Sequence, residues 1–235
     1  MSISNKQLIG QLIIAGFRGK TIKPNTKITR YIEDYNLGGV ILYDQDITIG
    51  GNGTRNIESP AQVKTLINDL QNISEKPLII GIDQEGGEVN RLGCVYGFND
   101  TPSWKHIGAL QNKLITKQFS KSIASNLSNL GINLNFAPVL DLDYGLDTNI
   151  SESGRSFSKN PEMVIKHSKI FIEEHRSKNI ITCGKHFPGL GSASVDTHEG
   201  FTDISNTWSV KDLLPFDSLI QNNNLDMVMI SHAFD

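Results

Sequence analysis

Six short apolar runs, at residues 12–16, 39–43, 78–83, 134–138, 180–184 and 227–231, recur along the chain. None alternates apolar with polar residues, as a strand with one wet face would. Such runs fit strands covered on both faces, the situation in parallel sheets. Segments with helical periodicity lie between them. The clearest opens Ser59-Pro60-Ala61-Gln62, read as a capping box with proline at the first helical position. Val63, Leu66, Ile67 and Leu70 then form the i, i+3, i+4, i+7 stripe that packs on a sheet. A second helix carries Ile115, Phe119, Ile123 and Leu127 and is expected to stop at Gly131. A third starts near Pro161, and a fourth runs from about Leu213 to Gln221. Repeated strand-then-helix units predict an α/β fold with a parallel sheet.

Polar residues gather just after the predicted strands: Asp83-Gln84-Glu85, Asp141-Leu142-Asp143, Lys185-His186 and Ser231-His232. An open sheet collects its ligand at one switch point. Functional groups at four different strand ends suit the mouth of a (β/α)8 TIM-type barrel instead. Six units are countable, so the barrel is expected to be incomplete in this chain. With 235 residues and 38% hydrophobic content, residues 1–235 are read as one domain with one sizeable core. The segment 44–58, rich in Gly and Asn, reads as a long exposed loop.

Composition excludes several functions. The net charge is −3, from 22 basic and 25 acidic residues, with no basic stripe or tail, so no nucleic-acid partner is expected. Two cysteines, Cys94 and Cys183, are too few for a disulfide framework. The apolar N-terminal stretch is broken by Gly10 and Gln11, a poor signal peptide and too short to span a membrane. A soluble cytoplasmic protein is the expectation, and no cofactor is implied.

Three segments carry chemistry. In Asp83-Gln84-Glu85-Gly86-Gly87 a carboxylate at a strand end meets a sharp turn, and Arg91 follows; the plain alternative is a structural ion pair. Asp141 and Asp143 suggest a metal site, but two carboxylates on one loop more commonly cap a helix or hold an arginine. Arg155 offers a planar fork for a carboxylate or for paired sugar hydroxyls. The segment 184–200, GKHFPGLGSASVDTHEG, is the richest. It reads as a strand emptying into a glycine-rich lid that holds Lys185, His186, Asp196 and His198. Asp196, two residues before His198, can accept the imidazole N–H, set its tautomer and favour the protonated ring. His198 is therefore the candidate general acid, able to act later as base.

The motifs DQEGG-x-V-x-RL at 83–92, FAPVLDLD at 136–143, GRSFS at 154–158 and KHFPG-x-G…D-T-H at 185–198 resemble glycoside hydrolase family 3 in order and spacing. The likeness is strongest to its β-N-acetylglucosaminidase branch and covers nearly the whole chain. It implies a (β/α)8 barrel that retains anomeric configuration through a covalent glycosyl intermediate, acting on terminal N-acetyl-β-D-glucosaminides without metal or cofactor. It further implies that Asp83, Arg91, Arg155, Lys185 and His186 hold the sugar and that Asp196 and His198 form the acid/base dyad. Family β-glucosidases resemble the Lys-His strand end but lack the Asp-x-His lid, which makes them the weaker match.

Departures from the pattern are also visible. Glu88 stands where arginine is frequent, and Leu190 where the lid often has histidine or aspartate. No motif resembling S-D-D-L-x-M, which carries the family's nucleophilic aspartate, occurs up to Asp235, and a retaining glycosidase needs that second carboxylate. The chain is therefore expected to be the N-terminal part of a longer enzyme and to show no turnover alone. A metal-dependent barrel hydrolase is disfavoured because no His-x-His follows the first strand. A sugar-binding fragment that has lost its chemistry remains compatible with the binding motifs.

Overall fold

The computed structural model describes residues 4–145, 148–193 and 202–233. In chain order the elements are α1 (Asn5–Gly10), β1 (Ile14–Gly16), α2 (Lys27–Tyr35), β2 (Gly39–Leu42), α3 (Pro60–Asn72), β3 (Ile79–Ile82), β4 (Gln84–Gly86) and β5 (Val89–Asn90). They continue with α4 (Trp104–Ala109), α5 (Lys113–Leu130), β6 (Leu134–Asn135), α6 (Asn149–Glu152), α7 (Pro161–Arg176), β7 (Ile181–Phe187), α8 (Leu214–Gln221) and β8 (Met227–Ile230). The chain divides into two compact units, one of Met1–Asp83, Arg91–Asn99 and Asn126–Asn135, the other of Gln84–Asn90, Asp100–Ser125 and Phe136–Asp235.

The first unit holds a parallel sheet in the order β1-β2-β3-β6. Val40, Leu42, Ile80 and Ile82 are buried in it, and Val63, Leu66, Ile67 and Leu70 of α3 are buried as the periodicity requires. Ser59 caps α3 by accepting from the Gln62 N–H, as expected. The reciprocal half of the capping box is missing. The Gln62 side chain instead accepts from the Glu58 N–H and donates to the carbonyls of Lys20 and Asn56. Gly131, with φ of +91°, ends α5 in the left-handed conformation foreseen for it.

The segment 44–58 is not the wholly exposed loop expected from its composition: Asp44, Asp46, Asn56 and Ile57 are buried. The Asn56 amide donates to the carbonyls of Phe17 and Gly19 and accepts from the Tyr43 N–H, which ties the returning end of the loop to the ends of β1 and β2. Backbone polar groups that need partners drew the polar segment inward.

The second unit centres on β7, which pairs in parallel with β8 on one side and with residues 137–140 on the other. Its largest buried side chains are aromatic: the Trp104 ring centroid lies 4.9 Å from that of Phe157 and 5.4 Å from that of Phe171. β8 departs from its apolar sequence, since Met227, Val228 and Ile230 are exposed. β7 is its one strand partner among the described residues. Cys183 is buried in β7 as a free thiol, and Cys94 is exposed.

Candidate active site

β7 runs to Phe187, so Lys185 and His186 belong to the strand itself and not to a loop beyond it. Successive residues of a regular strand point to opposite faces. Here the register against β8 pairs Lys185 with Met229 and Phe187 with Ile230, leaving His186 as the extra residue of a bulge. A bulge re-aims a side chain. It lets Lys185 and His186, adjacent in sequence, enter one polar network.

Glu85 is the hub of that network. It lies in β4, and its carboxylate takes the Lys185 ammonium at 2.6 Å and the Arg155 fork through Nη2 at 2.7 Å and Nε at 2.8 Å. The side chains of Glu85, Lys185 and Arg155 are only 1%, 3% and 10% exposed, so these are buried ion pairs. Burial pushes the Glu85 carboxyl up, but the two cations outweigh it and hold the group down at about 2. Arg155 also donates from Nη1 to Asn149 Oδ1 at 2.6 Å. The fork read as open to a ligand is therefore largely engaged by protein.

Asp141 serves His186. Its carboxylate takes the His186 Nδ1–H at 2.7 Å, the His186 N–H at 3.2 Å and the Leu190 N–H at 2.7 Å. On the other side of the ring, Arg155 Nη2 lies 3.3 Å from Nε2. An arginine only donates, so in this contact Nε2 is the acceptor and Nδ1 the nitrogen that donates to Asp141. Asp143 pairs with Lys105 at 2.9 Å and accepts from Ser151 at 2.6 Å. Neither aspartate holds an arginine, and each is committed to donors of its own unit. No group of three metal-ligating side chains occurs among the described residues.

The turn after β7 is packed closely. A side chain at Gly189 would meet Asp212, and one at Gly191 would come within 1.9 Å of the Leu142 carbonyl oxygen. Trp208 donates from its indole to the Pro188 carbonyl at 3.1 Å. Leu190, the departure from the family pattern, lies in an apolar cluster with Ala193, Ile204 and Trp208. Asp212 beside this turn is raised by burial, opposed by its bonds to Ser209 and Tyr144.

In the first unit, Asp83 follows directly on β3, and Arg91 pairs with the buried Asp44 at 3.4 Å. Tyr96 donates to the same carboxylate at 3.3 Å. The structure thus brings Arg155, Lys185 and His186 together in one unit and sets Asp83 and Arg91 in the other. Asp196 and His198 lie outside the described residues. Glu85 and Asn149 were not singled out as site residues, and Asp141 was weighed only for a metal, a helix cap or an arginine. The available signal for Glu85 was a carboxylate next to Gly-Gly in a chain whose Lys185 and Arg155 both called for a counter-ion.

Comparison with known proteins identifies the family. Residues 5–234 match the glycosyl hydrolase family 3 N terminal domain. A beta-hexosaminidase of Nitrosomonas eutropha is 32% identical over 210 residues, covering 84% of this chain and 55% of that protein. The structure of a glycoside hydrolase family 3 beta-N-acetylglucosaminidase from Paenibacillus sp. str. FPU-7 aligns with a TM-score of 0.86 at 30% identity, over 99% of this chain and 43% of that one. NagZ from Neisseria gonorrhoeae, in complex with N-trifluoroacetyl-D-glucosamine, aligns with a TM-score of 0.80 at 28% identity, over 94% and 63%. The chain spans about half the length of these relatives. The fold is α/β of the TIM-barrel type, and the chain belongs to glycoside hydrolase family 3, matching its N-terminal domain.

Proposed function

We propose that this domain binds and helps hydrolyse terminal N-acetyl-β-D-glucosaminides with retention of configuration, within a single barrel domain. The observation that carries the reading is the buried Glu85 hub, which holds Lys185 and Arg155 charged and in fixed orientation. Sugar recognition rewards donors whose positions are set before the ligand arrives. The 3.3 Å contact of Arg155 to His186 Nε2 is the longest of these side-chain to side-chain contacts and the one for which a sugar hydroxyl would compete. Asp83 and Arg91 are proposed as further sugar ligands on the strength of their motif.

Asp196 and His198 are proposed as the acid/base dyad. His186 is a poor rival for that role, because both its ring nitrogens already have partners. The beta-hexosaminidase and beta-N-acetylglucosaminidase relatives support the reaction class. A cytoplasmic location belongs to the same proposal; no helix among the described residues is long and apolar enough to cross a membrane.

Two measurements test the reading. Calorimetry of this chain with N-acetylglucosamine should give saturable binding that His186→Ala weakens about tenfold, the value of one good hydrogen bond to a charged or polarised group. For turnover, the chain is assayed together with the further region by which its relatives exceed it. His198→Ala should then slow a poor leaving group by about 10²–10⁴, the usual worth of general acid catalysis, while sparing 4-nitrophenol. Equal loss on both leaving groups removes His198 from the acid role.

A further inference from the structure

Arg55 lies in the loop between β2 and α3, wholly within the first unit, and is fixed at three points. Its Nε–H donates to the Phe17 carbonyl at 3.1 Å. Its guanidinium carbon stands 4.8 Å from the centre of the Tyr43 ring. Its Nη2 rests against Gly16, where a side-chain carbon would come within 3.0 Å. The rotamer freedom that an arginine normally loses on binding has therefore been lost already.

Every other cation near it has a carboxylate. Arg18 pairs with Asp46, Lys20 with Glu58 at 2.9 Å, and Arg91, which also lies over the Tyr43 ring at 5.8 Å, with Asp44 at 3.4 Å. Arg55 has no carboxylate partner among the described residues, and its Nη groups make no hydrogen bond there. The Asp46 carboxyl is held down at about 2 chiefly by the hydrogen bond from Arg18, with Arg55 a minor contributor, so that carboxylate is already engaged. One half-buried guanidinium is left in surplus on an aromatic platform.

We propose that the Arg55 fork is a binding site for a singly charged carboxylate ligand. A carboxylate matches the planar Nη edge with two parallel hydrogen bonds. The Tyr43 ring shields one side of the pair, where cation–π attraction already favours the guanidinium. A dianion is a worse fit, because Asp44 and Asp46 flank the site and there is one cation to spare. The site stands apart from the hydrolase reading and needs none of its residues except Arg91 as a neighbour.

The test is a titration of the chain followed on the guanidinium N–H resonances. Benzoate is the probe, benzamide its neutral isostere and inorganic phosphate the dianionic control. Benzoate should shift the Arg55 Nε–H signal and bind at least about tenfold more tightly than benzamide. Arg55→Met should abolish that preference. Arg55→Lys, which keeps the charge and stem but loses the fork, should recover only part of it, as read by the affinity ratio and not by stability. Equal binding of benzoate and benzamide, unchanged benzoate binding in Arg55→Met, or full recovery in Arg55→Lys would overturn the proposal. Tighter binding of phosphate than of benzoate would overturn its choice of ligand.

Discussion

Glu85 illustrates how a residue acquires a role that its type alone does not announce. Lys185 and His186 were recognisable from the sequence because basic groups at a strand end suggest a ligand site, and Arg155 because its planar fork suits a carboxylate or paired hydroxyls. Glu85 was not, because the use of a carboxylate depends on which cations reach it, and Arg155 arrives from 70 positions away. Its removal would take a carboxylate at 2.6–2.8 Å away from two buried cations. Glu85→Gln should therefore lower stability by about 3–5 kcal/mol in urea denaturation. Glu58→Gln, at the exposed Lys20–Glu58 pair, should cost less than about 1 kcal/mol. Similar losses in both variants would mean that burial does not govern the pair. Asp141 carries the same lesson: sequence reasoning considered a metal, a helix cap or an arginine, and the structure gives it a histidine.

Elements were more legible than their ends. All six predicted strands formed, α3 and α5 followed their periodic stripes, and α7 and α8 formed where helices were expected. The boundary errors have physical reasons. β7 continues through Lys185, whose backbone pairs with Pro138 and Leu140, and past the bulged His186, whose N–H goes to the Asp141 carboxylate, before pairing resumes at Phe187. β8 is apolar yet exposed, because burial of a strand is conferred by neighbours and not by its own residues. Gly108 of α4 provides a test at this scale. In an isolated helix, alanine would be favoured over glycine by about 1 kcal/mol. Here the new carbon would lie 1.9 Å from the Phe157 carbonyl oxygen. Gly108→Ala should thus destabilise, by about 1–3 kcal/mol, the usual cost of overpacking. A raised melting temperature would show that α4 can move away from residue 157 without loss.

At the scale of the whole molecule, buried ionisable groups set the response to acid. His175 is held neutral: burial lowers its pKa to about 4, and the bond to the Phe171 carbonyl offsets only part of this. The unfolded chain therefore binds the proton first. The stability this contributes is complete above about 6.5 and is lost as pH falls toward 4, by roughly 3 kcal/mol. Glu85 adds a second, more acidic loss. Its folded pKa of about 2 lies below the ordinary carboxyl value, so its contribution holds above about 4.5 and fades as pH falls toward 2. Urea midpoints followed against pH should show two descending steps, and His175→Gln should shrink the upper one, to which His167, also lowered by burial, contributes, while leaving the lower one in place. A wild-type profile flat from pH 6.5 to 4 would refute the buried neutral imidazole.

What the residues determined unaided was periodicity and local chemistry: parallel strands from unbroken apolar runs, helices from their stripes, and basic and acidic groups concentrated after strands. These depend on neighbours within a few positions, which a sequence displays directly. Tertiary structure alone decided which charge met which: that Glu85 would join Lys185 to Arg155, that Asp141 would accept from His186 Nδ1, and that Arg55 would keep no carboxylate of its own among the described residues. The reason is that Coulomb interactions and desolvation depend on separation and burial in space, and neither can be measured along the chain.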